Sequence, residues 1–244
     1  MLAAMTPCLR PLLFLLLASF MLPASGCMQG QDGMPVHTPA SPEAAQARFF
    51  AAVRDGDEPL ARELMASGAH PNATDDDGTP LLHQAMRAND RKAVGLLLAL
   101  GADPGQGDAR GRTAMHEAAM ARHGDWIDQL LEAGVAVDIP NTRNGQTPLY
   151  DALRAREPDN IDRLLEAGAR LDVRDRTGTT PLHQAALVND IPSVRRFLEA
   201  GADPGAVDDT GATVASYLYK GDPATLSAPV RRDYEWIRTR LAGE

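Results

Sequence analysis

Two interleaved series of glycines run through most of this chain in a common register. The first falls at Gly78, Gly111, Gly145, Gly178 and Gly211, in steps of 33, 34, 33 and 33 residues. The second falls at Gly68, Gly101, Gly134, Gly168 and Gly201, in steps of 33, 33, 34 and 33. From Gly78, Gly111, Gly145 and Gly178 it is always 23 residues to the next glycine of the second series. A fixed period of roughly 20–50 residues marks a stack of supersecondary units, each of which buries its apolar face against its neighbours.

The residues between the glycines say what the unit is. Sixteen, nineteen and twenty places after a first-series glycine stand Val94, Leu97 and Leu98, then Ile127, Leu130 and Leu131, then Ile161, Leu164 and Leu165, then Val194, Phe197 and Leu198. That spacing is the buried stripe of a short helix. Each such helix runs into a second-series glycine, the residue that takes a left-handed cap without a Cβ clash. A second helix precedes it and opens at Thr180-Pro181-Leu182-His183 in the fifth unit. Threonine suits the N-cap, and proline suits the first helical turn, where its missing N–H is no loss. Its counterparts are Pro80-Leu81-Leu82-His83, Thr113-Ala114-Met115-His116 and Thr147-Pro148-Leu149-Tyr150, followed by small residues such as Ala118, Ala119, Ala185 and Ala186. Aromatic residues are only 5% of the chain, too few for a large β-sandwich core.

The run Gly-x-Thr-Pro-Leu-His-x-Ala-Ala, then a pair of large apolar residues, then Gly-Ala-Asp, resembles the ankyrin repeat. The copy from Gly178 to Asp203 matches almost throughout. The resemblance covers residues 43–244 and implies an all-α repeat fold, an ankyrin solenoid of helix-turn-helix units with short β-hairpin-like finger loops. The expected divisions are an N-cap at 43–74, repeats at 75–107, 108–141, 142–174 and 175–207, and a C-cap at 208–244. Departures stand at Pro80 in place of Thr, Ala114 in place of Pro, Tyr150 in place of His, and one extra residue in the turn at 139–144.

Residues 1–26 read as an export signal. Arg10 supplies the positive charge, residues 11–22 are an apolar run, and small residues precede Cys27. The run is short of the roughly 20 residues a membrane-spanning helix needs. Ala24-Ser25-Gly26-Cys27 resembles the lipobox of bacterial lipoproteins, which implies acylation (palmitate among the chains) of Cys27; ordinary secretory cleavage is the alternative. Met28 in the following place favours the outer over the inner membrane of a Gram-negative cell. Residues 28–42 are rich in Gly, Pro and polar residues and read as a flexible tether, with a reach of roughly 20 Å. Membrane attachment is thus expected through the lipid alone, with the folded part in the periplasm. The only other cysteine, Cys8, lies in the signal, so no disulfide is expected in the folded part.

The net charge of −9 gives no general attraction to nucleic acid. His83, His116 and His183 share one repeat position, where the resemblance implies hydrogen bonding within and between turns. His116-Glu117 lacks the second histidine that a zinc motif needs four places on, since Met120 stands there. Asp75, Asp76 and Asp77 read as a solvated turn, because the further carboxylates of a calcium loop are missing. No catalytic set or phosphate loop is seen, so no enzyme activity, metal or cofactor is expected.

In ankyrin proteins partners touch the finger tips and the exposed end of the first helix. Carried over by position, this gives Asp76, Asp77 and Arg87, then Arg110, Arg112 and Met120, then Arg143, Gln146 and Arg154, then Arg176, Thr179 and Leu187. The central fingers read as basic, with Arg174 adding to Arg110, Arg112, Arg143 and Arg176. Asp75, Asp76 and Asp77 flank them on one side, Asp208 and Asp209 on the other. The expected function is protein binding by a monomer in the cell envelope, to a partner with an acidic patch. A periplasmic effector blocked by an immunity protein and a stress-defence protein are two such partners. A structural spacer and an envelope enzyme are the rival readings.

Overall fold

The computed structural model describes residues 41–122, 125–218 and 220–242. The signal segment, Cys27, most of the tether and His123 lie outside them. Among the described residues there are twelve α-helices and no strand. Five pairs come first: α1 (Pro42–Asp55) with α2 (Glu58–Ala66), α3 (Leu81–Arg87) with α4 (Arg91–Ala99), α5 (Ala114–Met120) with α6 (Asp125–Glu132), α7 (Pro148–Ala155) with α8 (Pro158–Glu166), and α9 (Pro181–Leu187) with α10 (Ile191–Glu199). The short α11 (Val214–Tyr217), a 3₁₀ turn at Pro223–Thr225 and α12 (Ala228–Leu241) close the stack. The tether gives way to helix slightly before the expected boundary: Pro42 is already helical, and the Ser41 hydroxyl accepts from the Ala44 amide at 3.2 Å. None of these helices is long and apolar enough to cross a membrane.

Capping chemistry fixes the helix starts. Asp57, Asp90 and Asp190 each accept a backbone N–H three residues on and so open α2, α4 and α10. The inner helices α3, α5, α7, α9 and α11 pack in succession, with α4, α6, α8 and α10 on their backs. The small residues in the inner row are fully buried, Ala85, Ala118, Ala119, Ala152, Ala185 and Ala186 among them, which lets the rods approach closely. The outer stripe is buried as its spacing requires: Val94, Leu97, Ile127, Leu130, Ile161, Leu164, Val194 and Phe197 are at most 2% exposed. At the C-terminal end Tyr234 and Ile237 of α12 are buried against the stack, and Val230 and Leu241 are half-buried beside them.

One unit departs from the others at its inner turn. Eleven residues after the first-series glycine the chain turns left-handed, at Asn89 (φ 55), Arg156 (φ 57) and Asn189 (φ 54). One place earlier, Ala88 (φ −74, ψ −4) and Val188 (φ −86, ψ 4) continue the helical turn, whereas Ala121 in the third unit is extended (φ −73, ψ 131), which leaves the last carbonyls of α5 without the usual turn partners. Asn160 of α8 meets that need from the next unit. Its side-chain NH₂ is shared among the carbonyls of Ala121 (2.8 Å), Ala119 (3.1 Å) and Ala118 (3.3 Å), and the residue is 2% exposed. Asn160→Ala is therefore expected to cost about 1–3 kcal/mol, the penalty of stranding buried carbonyls. A urea melt checks this; a loss below about 0.5 kcal/mol would show that water takes over the contacts.

Candidate partner-binding face

Each finger is folded around one side-chain acceptor. The Asp75 carboxylate accepts the amides of Asp77 (3.1 Å) and Thr79 (2.7 Å). Asp108 does the same for Arg110 and Arg112, Asp175 for Thr177 and Thr179, and Asp208 for Thr210 and Ala212. In the finger with the extra residue the acceptor is Asn141, which receives Arg143 and Asn144. The β-hairpin likeness reduces to isolated bridges, Thr74 with Pro80 and Val207 with Thr213, because the fingers are too short for a ladder. These aspartates correct the reading of the flanks as loose negative charge. Asp208 is only 7% exposed, and hydrogen bonds from Thr210 and Tyr217 hold its carboxyl far below the ordinary carboxylate range. At the first finger Asp76 and Asp77 are exposed and have no side-chain partner among the described residues.

Backbone bonds tie finger to finger. The amide of Thr142 donates to the Gly111 carbonyl (3.0 Å), Arg176 to Asn144 (2.9 Å) and Asp209 to Thr177 (3.0 Å). A second link runs from the inner helix to the following finger. His116 Nε2 lies 2.9 Å from the Gln146 carbonyl, which can only accept, so that nitrogen carries the proton. Its Nδ1 then receives the Thr113 hydroxyl (2.8 Å) and amide (3.2 Å), closing a capping box. Thr180 and His183 repeat the box. Tyr150 replaces the histidine yet keeps the link, since its hydroxyl reaches the Thr179 carbonyl (2.5 Å) and the Val173 carbonyl (2.9 Å). Without a ring nitrogen at that height the box opens, and the buried Thr147 hydroxyl has no partner among the described residues.

His83 departs in the other direction. Pro80 offers neither N–H nor hydroxyl to Nδ1, and both ring nitrogens of His83 lack hydrogen-bond partners among the described residues, at 1% exposure. The ring lies near Asp108 and Glu117, the three ligand atoms all within 4.8 Å of one another. Both carboxylates are already held by guanidinium groups. Arg87 grips Glu117 in a fork (2.8 and 3.1 Å), and Arg112 grips Asp108 (2.7 and 3.0 Å). A dication would have to displace two cations from an arrangement that is neutral as it stands, so the geometry is that of an ion-pair network. Burial presses Asp108 upward, but the bonds from Arg112 and the Arg110 and Arg112 amides outweigh it and keep its pKa low.

Burial lowers the pKa of His83, His116 and His183 below the ordinary 6.5. As the pH falls through 6.5 the unfolded chain takes up protons that the buried rings refuse. Stability is then lost, by at most about 1.4 kcal/mol per pH unit for each ring, until the depressed folded-state values are reached. Thermal melts between pH 7.5 and 5.5 should show Tm falling with acid; a flat or rising Tm would mean that the rings are protonated in the fold.

The residues expected to face a partner divide into two groups. Asp76, Asp77, Arg87, Arg110, Arg143, Arg154, Arg176 and Leu187 are exposed. Arg112, Met120, Gln146 and Thr179 are half-buried. Arg112 is a correction to the basic centre: its side chain is 17% exposed and committed to Asp108. Arg174 is engaged as well, donating to the Val207 (2.6 Å) and Gly178 (3.1 Å) carbonyls, and Arg176 spends one nitrogen on the Thr142 carbonyl (3.0 Å). Gln146 bridges Asp175 (2.9 Å) and Arg154 (2.6 Å). Arg110 and Arg143 are exposed and have no ion pair among the described residues. Sequence reasoning missed Glu117, Asp151 and Trp126 on this side of the stack; Glu117 and Asp151 share one place, six after the glycine, which was the available signal.

No curated protein matches the chain. A family model described as ankyrin repeats in three copies matches residues 49–141 and again 120–208, about two thirds of the chain. Paired helices, finger turns and the matched span agree, and the chain belongs to the ankyrin-repeat family, a non-enzymatic fold of protein–protein interaction modules.

Proposed function

We propose that this chain is a protein-binding module of the bacterial cell envelope, working through its fingers and inner helices. The observation that carries the reading is the pair Arg110 and Arg143, exposed and without an ion pair among the described residues, on finger turns that are each clamped by a side-chain acceptor. Cations held on a rigid support lose little freedom on association, and they select a partner that brings carboxylates. The envelope setting rests on the signal-like segment and the lipobox-like residues before Cys27. In this reading Cys27 carries the acyl chains and the tether holds the stack close to the outer membrane on its periplasmic side. The partner is an acidic periplasmic protein, such as a toxic effector or a component of stress defence.

Affinity purification of the full-length product from envelope extracts, followed by mass spectrometry, tests the binding. One protein in stoichiometric amount is expected, lost on Arg110→Glu with Arg143→Glu while the melting curve is unchanged. Retention of that protein by the double variant would move the contact elsewhere. For the anchor, labelled palmitate should enter the parent chain, and Cys27→Ser should shift it to the soluble fraction. An unlabelled parent in the soluble fraction would remove the lipid.

A further inference from the structure

The unit whose inner turn breaks the pattern also carries a cavity. Between the C-terminal ends of α3 and α5 lies an open slot of about 300 Å³, lined by Met86, Met120, Ala121 and Trp126. Trp126 exists there because the place fifteen residues after the first-series glycine, Ala93, Asn160 and Ser193 in other units, is tryptophan in this one. The Arg91 guanidinium covers one side of the ring at 5.2 Å and is itself held by Asp125 at 2.7 Å. The indole is 3% exposed and forms one wall of the slot. Met86 and Met120 supply further apolar lining, beside the polar Arg87, Asn89, Glu117 and Arg122, and methionine adapts to varied apolar shapes.

The surroundings of the slot are charged in a definite sense. The Arg87–Glu117 pair belongs both to this slot and to a neighbouring polar basin of about 480 Å³, which Arg110 and Asp77 also line. Arg122 stands at the slot, exposed and with no ion pair among the described residues, and Arg110 stands likewise at the basin. A chain of net charge −9 thus leaves unpaired cations beside an apolar recess. Asp76 and Asp77 on the preceding finger repel a negative segment from that end and direct it toward Arg110 and Arg143.

Resting on the binding function above, we infer that the slot is the anchor point for the partner. It receives one large apolar side chain, aromatic or leucine-like, from an acidic segment whose flanking carboxylates meet Arg110 and Arg122. The apolar side chain sets affinity and register, and the carboxylates set charge selection.

A defined probe tests this: a fluorescent nonapeptide with a central phenylalanine flanked by four aspartates on each side, titrated onto the full-length chain. A second peptide with central alanine serves as control. The phenylalanine peptide is expected to bind at least tenfold more tightly, and to shift the indole N–H signal of Trp126, one of only two tryptophans. Met120→Glu should abolish the difference between the peptides, whereas Met120→Leu should preserve it. Equal binding of the two peptides, or an unmoved Trp126 signal, would overturn the inference. If the partner captured from the envelope binds Met120→Glu as tightly as the parent, the slot is discarded and protein binding stands. If no partner is captured, it is the binding reading that fails, while the peptide titration still decides the slot.

Discussion

Gly111→Ala should destabilise the chain by at least about 3 kcal/mol, and Gly134→Ala by only about 1–2 kcal/mol. Both glycines are left-handed, Gly111 at φ +76 and Gly134 at φ +81, so each substitution carries the same local strain. Their surroundings differ. A Cβ on Gly134 would meet nothing within 4 Å. A Cβ on Gly111 would stand 2.6 Å from Asn141 Oδ1 and 2.8 Å from the Arg143 backbone nitrogen. Relief requires the next finger to move, which breaks the Thr142 amide bond to Gly111 and loosens the Asn141 clamp on its own turn. Chemical melts of the two single variants measure the contrast. Equal losses would mean that the fingers are not locked to each other and that the rigid-support argument for Arg110 and Arg143 is wrong.

Phe197→Ala should cost about 3–5 kcal/mol, the usual result of emptying a large buried site. Phe197 is fully buried in α10, which packs against both α9 and α12. In a repeat stack each unit is stabilised mainly by its neighbours, so the damage should spread toward the nearer end. Amide exchange is expected to show α10, α11 and α12 losing protection together, while α3 and α4 change little. A uniform loss of protection over the whole stack would instead describe a single cooperative globule.

The interior of each unit is written in local sequence. An apolar stripe at helical spacing, Asp and Thr caps and left-handed glycines all act within about a dozen residues, and a period of 33 or 34 residues repeats them. The paired helices followed from these alone. Of the residues that the repeat register assigns to a partner-facing side, Asp76, Asp77, Arg87, Arg110, Arg143 and Arg154 are exposed in the structure.

Charge counting in the sequence could not tell an exposed arginine from one committed to an ion pair. Arg110 and Arg112 are two places apart, yet one is exposed with no ion pair among the described residues while the other closes on Asp108 and touches the Met120 sulfur at 3.6 Å. Asp75 and Asp208 count as surface charge in the sequence and are turn acceptors in the fold.

The sequence by itself determined the kind of unit, its length and the order of its helices, because hydrogen bonds and side-chain stripes inside one unit depend on neighbours along the chain. The tertiary structure alone decided what crosses between units. Tyr150 reaches the carbonyl 29 residues on, Asn160 closes a helix end 39 residues back, and Trp126 with two methionines shapes a slot from two units at once. Such contacts are set by distances and angles between stacked rods, and no periodicity within one strand of sequence records them.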